Sequence, residues 1–109
     1  MRKIETAMIE AIENQLDWQS ANTQVSNSEL ASDGTVVSIV KLHGHKIAVI
    51  GDTFIQLFDG GWQTATTKSR LNAILKGFGN LESVYQKNFN WFVSTKYGDV
   101  PFFSGMKLN

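Results

Sequence analysis

A chain of 109 residues has room for one hydrophobic core, and its 42% apolar and 18% charged side chains exclude intrinsic disorder. Ten basic and ten acidic side chains cancel, so the general basic excess of a nucleic-acid binder is missing, and any such patch must come from local clustering. With no cysteine, disulfides, thiolate nucleophiles, iron–sulfur ligation and thiolate zinc sites are excluded.

Ile4, Met8, Ile12 and Leu16, with Ala7 and Ala11 beside them, recur at three- and four-residue steps and predict an amphipathic helix over about Lys3 to Leu16. Glu5, Glu10, Glu13 and Asn14 fall mostly on its other, solvent-facing side. The same glutamates interrupt the apolar run that a signal peptide needs after its positive start. No stretch approaches the roughly 20 apolar residues of a membrane span, and a short chain without disulfides fits a reducing compartment. The expectation is a cytoplasmic protein without a membrane partner.

Gln19 to Asp33 is polar, with a short strand around Thr23-Gln24-Val25 and a turn at Asp33-Gly34. Thr35 to Leu42 is β-branched and apolar, His43-Gly44-His45 punctuates it, and Lys46 to Ile50 resumes, the pattern of a hairpin. A turn at Gly51-Asp52 leads into Thr53 to Phe58, completing a three-strand meander closed by Asp59-Gly60-Gly61. Leu71, Ile74, Leu75 and Phe78 then predict a second helix over about Thr67 to Phe78, with Thr66 or Thr67 as N-cap and Gly79 as terminator. Ser83 to Gln86 and Trp91 to Ser94 flank Lys87-Asn88-Phe89-Asn90 as another hairpin, and the aromatic tail from Tyr97 to Asn109 should dock as an edge strand or loop. The order α-β-β-β-β-α-β-β gives a single two-layer α+β domain. Its antiparallel sheet of about five to six strands carries both helices on one face. The expected divisions are an N-terminal helix over 1–18, a core over 22–96 and a tail over 97–109.

Four signatures arrive in a fixed order: Asn22-Thr23-x-Val25, then Leu42-His43-Gly44-His45-x-Ile47-Ala48, then Gly61-Trp62-x-Thr64-x-Thr66-Thr67-Lys68-x-Arg70-Leu71-Asn72-Ala73, then Gln86-Lys87 with Trp91-x-Val93. Together they resemble a family of small proteins from tailed bacteriophages and related prokaryotic viruses. The resemblance spans roughly Asn22 to Val93, with the middle block the most distinctive, and leaves the first helix and the tail after Ser94 outside. It implies a setting, the cytoplasm of an infected prokaryotic cell, and brings no catalytic residues. Small accessory phage proteins often bind and inhibit a host or defence protein, so the resemblance implies a partner of that kind.

The segment from Gly60 to Arg70 is the strongest candidate for a site. A helix starting near Thr67 would present free backbone N–H groups beside Thr64, Thr66, Lys68, Ser69 and Arg70, which is the composition of an anion site. The plainer alternative is that Thr67 caps the helix while Lys68 and Arg70 are solvated. A phosphate-binding P-loop fails, because the glycines it needs six and one residues before the lysine are Trp62 and Thr67 here. His43-x-His45 has a strand spacing that points two imidazoles to one side, as some metal sites require, and a third ligand would have to be Asp52, Asp59 or another distant carboxylate that no sequence pattern identifies. Gly44 between them argues instead for a hairpin tip. Nucleophilic catalysis has no support, since no serine sits in a Gly-x-Ser-x-Gly elbow.

Trp62 and Phe89 are the aromatics expected at the surface, where such rings act as interface anchors or stacking platforms. The leading expectation is therefore a virus-encoded binding protein that needs no cofactor and acts on a host or defence protein through an aromatic surface. A nucleic-acid binder using Lys68 and Arg70 comes second, and an enzyme or metal protein centred on His43 and His45 last. Zero net charge leaves a homodimer open.

Overall fold

In the computed structural model, which describes residues 1–29 and 34–108, the chain alternates short helices and antiparallel strands. Helix α1 covers Lys3–Glu13 and buries Met8, Ala11 and Ile12, as the stripe requires. Two expectations fail there. The helix ends before Leu16, which is exposed, and Glu5 lies inside rather than on the solvent face because it pairs with a buried arginine.

Strands β1 (Trp18–Ser20) and β2 (Thr23–Glu29) form a hairpin, and β2 pairs along its whole length with β3 (Val36–Leu42). The polar composition hid most of this pair. Its side chains are satisfied laterally instead, with the Ser38 hydroxyl donating to Asn27 Oδ1 at 2.6 Å and the Asn27 backbone N–H donating to Asp17 at 2.9 Å. The Asp33 part of the expected turn lies outside the described residues.

Strands β3, β4 (His45–Ile50) and β5 (Ile55–Leu57) form the meander, β5 being shorter than the Thr53 to Phe58 run suggested. The tail supplies β9 (Met106–Leu108), which adds to the free side of β5 as an edge strand. This gives a six-stranded antiparallel sheet in the order β1-β2-β3-β4-β5-β9.

Helix α2 spans Ala65–Phe78, and Gly79 ends it, its N–H reaching back to the Leu75 carbonyl. The second hairpin, β6 (Ser83–Lys87) and β7 (Asn90–Thr95), forms as expected but does not join the main sheet. With β8 (Gly98–Pro101) it makes a separate three-stranded sheet. β9 already occupies the outer side of β5, while the Asn72 side chain on α2 holds β6 by accepting from the Val84 N–H at 2.7 Å and donating to its carbonyl at 2.9 Å.

Helix α1 packs on β1, β2 and α2, whereas α2 packs on α1, β4 and β6. The core between them holds Val25, Val40, Ile47, Leu57, Leu71, Ile74, Leu75 and Val93, each almost fully buried. A branched side chain removed from water in this way contributes about 1.5–3 kcal/mol. The radius of gyration, 13.2 Å, matches the roughly 13 Å of one compact domain of this length.

Candidate functional site

The connection from β5 to α2 is shaped by Asp59. Its carboxylate accepts the Gly61 N–H at 2.8 Å and its carbonyl accepts the Trp62 N–H at 3.1 Å. Gly60 and Gly61 both take positive φ, +68° and +87°, and a Cβ at Gly60 would meet His45 and Ile47 at 3.2–3.4 Å. The tight turn leaves the Trp62 ring 70% exposed at its outer corner.

Thr64, not Thr66 or Thr67, is the N-cap. It is extended, at φ −110° and ψ 162°, and its hydroxyl accepts the Thr67 N–H at 3.1 Å. Thr67 turns inward, with its own hydroxyl 3.0 Å from that of Thr64, and is buried. The helix therefore starts at Ala65, two residues before the expected position.

The expected cation pair separates. Lys68 remains partly exposed and its Nζ reaches Gln86 at 3.5 Å. Arg70 is 3% exposed, and its guanidinium donates from Nη1 to Glu5 at 2.8 Å and from Nε to the Thr23 hydroxyl at 3.1 Å. Ser69 also donates to Glu5, at 2.6 Å. The Arg70 guanidinium thus spends its donors inside the fold, on Glu5, Thr23 and Asn22. It joins α1, α2 and the β1–β2 turn, and the helix period puts it on the inner side of α2, two residues from the exposed side that Lys68 shares.

Burial pushes the Glu5 carboxyl up, but the hydrogen bonds from Ser69, Arg70 and the Arg2 backbone N–H, with the charge of Arg70, outweigh it. The net result is a pKa below the ordinary value of 4.5.

His43 lies within the two-residue turn between β3 and β4, and His45 opens β4. Leu42 pairs with His45, and His43 sits in the turn at φ +51°, so strand alternation does not apply to the two rings. Both rings are exposed. Among the described residues no group of three or more histidine or carboxylate side chains is arranged to hold a metal ion. His43 and His45 line a groove of about 390 Å³ together with Leu42, Ile47, Asp59, Trp62, Thr64 and Thr66. Asp52 lies elsewhere, along a second groove of about 370 Å³.

Phe89 is 92% exposed at the tip of the β6–β7 hairpin. Along α2 and β6, Asn72 meets Val84 and Lys68 meets Gln86, so the strand runs toward the start of the helix. The hairpin tip consequently flanks the same opening turn of α2 that Trp62 precedes. The sequence indicated both rings individually, but the Asn72 clamp that lays the Phe89 hairpin along α2 was not legible there.

The family model of the Kyanoviridae Gp96 protein, from a tailed-phage family, matches residues 1–109. The chain belongs to this family. The match covers α1 and the tail as well, beyond the Asn22 to Val93 span that the short signatures marked. Comparison with curated proteins and with solved structures gives no match. Membership in the Kyanoviridae Gp96 family fixes a viral origin, and no helix among the described residues is long and apolar enough to cross a membrane.

Proposed function

We propose that this phage protein is an accessory binding protein that modulates or inhibits a host or defence protein in the infected cell, docking through the face around the start of α2. The observation that carries the reading is two uncovered rings, Trp62 in the connection that leads into α2 and Phe89 at the tip of the hairpin that runs back along α2, with a groove at Trp62 that buried Leu42 and Ile47 help to line. Rings of this size bury about 150–250 Å² each on binding, and tryptophan is enriched among residues that dominate binding energy. The hydroxyls and imidazoles around the groove supply the polar rim that such interfaces carry.

The nucleic-acid alternative loses its main support with Arg70, since one partly exposed lysine at the helix start makes a poor phosphate track. The test is affinity capture from host lysate with and without nuclease, comparing wild type with Trp62→Ala. A specific protein retained after nuclease by wild type and lost by the variant supports docking on this face. Loss of everything after nuclease, with retention falling steeply as salt rises, assigns the protein to nucleic acid instead.

A further inference from the structure

The helices cover only one face of the six-stranded sheet. Pairing across the sheet aligns Val25, Val40, Ala48, Leu57 and Met106 in one row, and these residues share the core with the apolar stripes of α1 and α2. Alternate side chains point to the opposite face. One row there runs Gln24, Lys41 and Lys46, and the next runs Ile39, Val49, Gln56 and Lys107. All of these are half-buried or exposed. The face has an apolar centre, Ile39 and Val49, and lysines at its margins.

The chain as a whole is neutral, so these lysines are a local concentration of charge. No carboxylate stands in the two rows, and among the described residues Lys41, Lys46 and Lys107 make no ion pair. Asp52 and Asp59 lie in the connections on either side of β5. Asp59 already accepts from Gly61 and Gln63, and Asp52 lines the groove beside the end of α2. Lys41 stands directly opposite Lys46, and like charges so placed destabilise a sheet. Lys46 Nζ lies 4.5 Å from the centre of the Phe58 ring, and Lys107 Nζ lies 4.2 Å from that of Phe54. A ring orders an ammonium without neutralising it, so the charge stays in place and available.

We infer that this open sheet face binds single-stranded nucleic acid, with Lys41, Lys46 and Lys107 on phosphates and bases over Ile39, Val49 and the flanking Phe54 and Phe58 rings. The inference goes beyond the docking reading and uses a different surface. From β3 to β9 the lysines cross three strand spacings, about 14 Å, which is enough to meet more than one phosphate. Lysine is depleted at protein interfaces, whereas unpaired lysines beside aromatic rings are what a single strand meets. A duplex would bring mainly its phosphates to a flat face and leave the apolar centre unused. Membrane insertion needs protruding rings or an amphipathic helix, and Phe54 and Phe58 are half-buried.

Fluorescence anisotropy of a labelled oligothymidylate of about 16 nucleotides tests this with the purified protein. Neutralising three phosphates of a single strand gives log affinity a slope of about −2 against log salt. Wild type should therefore weaken about twentyfold between about 50 and about 200 mM salt. A Lys41→Gln, Lys107→Gln variant should lose about tenfold or more at the lower salt and bring the slope to about −0.7. A Lys3→Gln, Lys76→Gln variant removes the same charge from exposed positions on α1 and α2 and should bind like wild type, as should Trp62→Ala. Circular dichroism of each variant checks that the fold is kept. The inference is overturned by absence of binding at the lower salt, or by equal weakening in the two lysine variants. Tighter binding of a duplex of the same length, or of anionic phospholipid vesicles, overturns it as well. Loss with Trp62→Ala but not with the Lys41 and Lys107 variant would move the nucleic acid to the α2 start and also overturn it. Since Trp62→Ala should act only on capture of a protein, and the lysine variant only here, either reading can fail alone.

Discussion

Glu5 and Arg70 illustrate what a single residue's surroundings decide. Periodicity put Glu5 on the solvent side of α1 and left Arg70 free for a partner. In the fold each is 3% exposed, and their contact at 2.8 Å is completed by Ser69 and Thr23, with no buried side-chain polar atom left unpaired among the described residues. Sequence spacing could not show this, because the partners are 65 positions apart and meet only once α1 lies against α2. Arg70→Ala would strand a buried carboxylate and should cost about 3–5 kcal/mol in urea unfolding. A Glu5→Leu, Arg70→Met double variant should recover most of that loss, since an apolar pair of similar volume often replaces a buried ion pair without penalty.

The pair also sets an acid limit. The folded pKa of Glu5 lies below its ordinary 4.5, so its stabilisation is fully present above that value and is lost as pH falls through the lower folded value. Unfolding midpoints measured across the acid range should fall for wild type, and the slope should flatten in Glu5→Gln.

At the scale of elements, the legible parts were those with strong periodicity. Helix α1, the β3–β4–β5 meander and the β6–β7 hairpin follow from alternating or three-and-four spacing of apolar residues. The start of α2 lies two residues before the position its sequence suggests, because threonines at 64, 66 and 67 all suit a cap and only backbone geometry selects Thr64. Strands β1 and β2 were mostly missed because Ser, Asn and Gln read as loop. What makes β2 a strand is pairing with β3 across seven residues, and β1 then pairs with β2. The separation of the small sheet rests on Asn72, an ordinary mid-helix residue in sequence. Removing its two bonds to Val84 by Asn72→Ala should cost about 1–3 kcal/mol. Amide exchange should then rise through β6, β7 and β8 more than in the main sheet, whereas a uniform rise would show that the two sheets open together.

For the molecule as a whole, composition and element order were enough for the α+β class and one core, but not for the division into two sheets. Sheet edges are also managed at this scale. The small sheet ends in β8, fully exposed along its length, and the only proline of the chain, Pro101, stands there without an N–H to offer an incoming strand. Such an edge discourages pairing of the small sheet with other chains, and the proposed docking therefore assigns recognition to side chains, Trp62 and Phe89 among them.

The docking face is tested most directly by titrating the purified captured partner, by calorimetry, with wild type and Trp62→Ala at low and high salt. The account predicts about tenfold or greater weakening by the substitution and little change with salt for wild type. Equal affinity of the two proteins, or wild-type binding that collapses as salt rises, would contradict it.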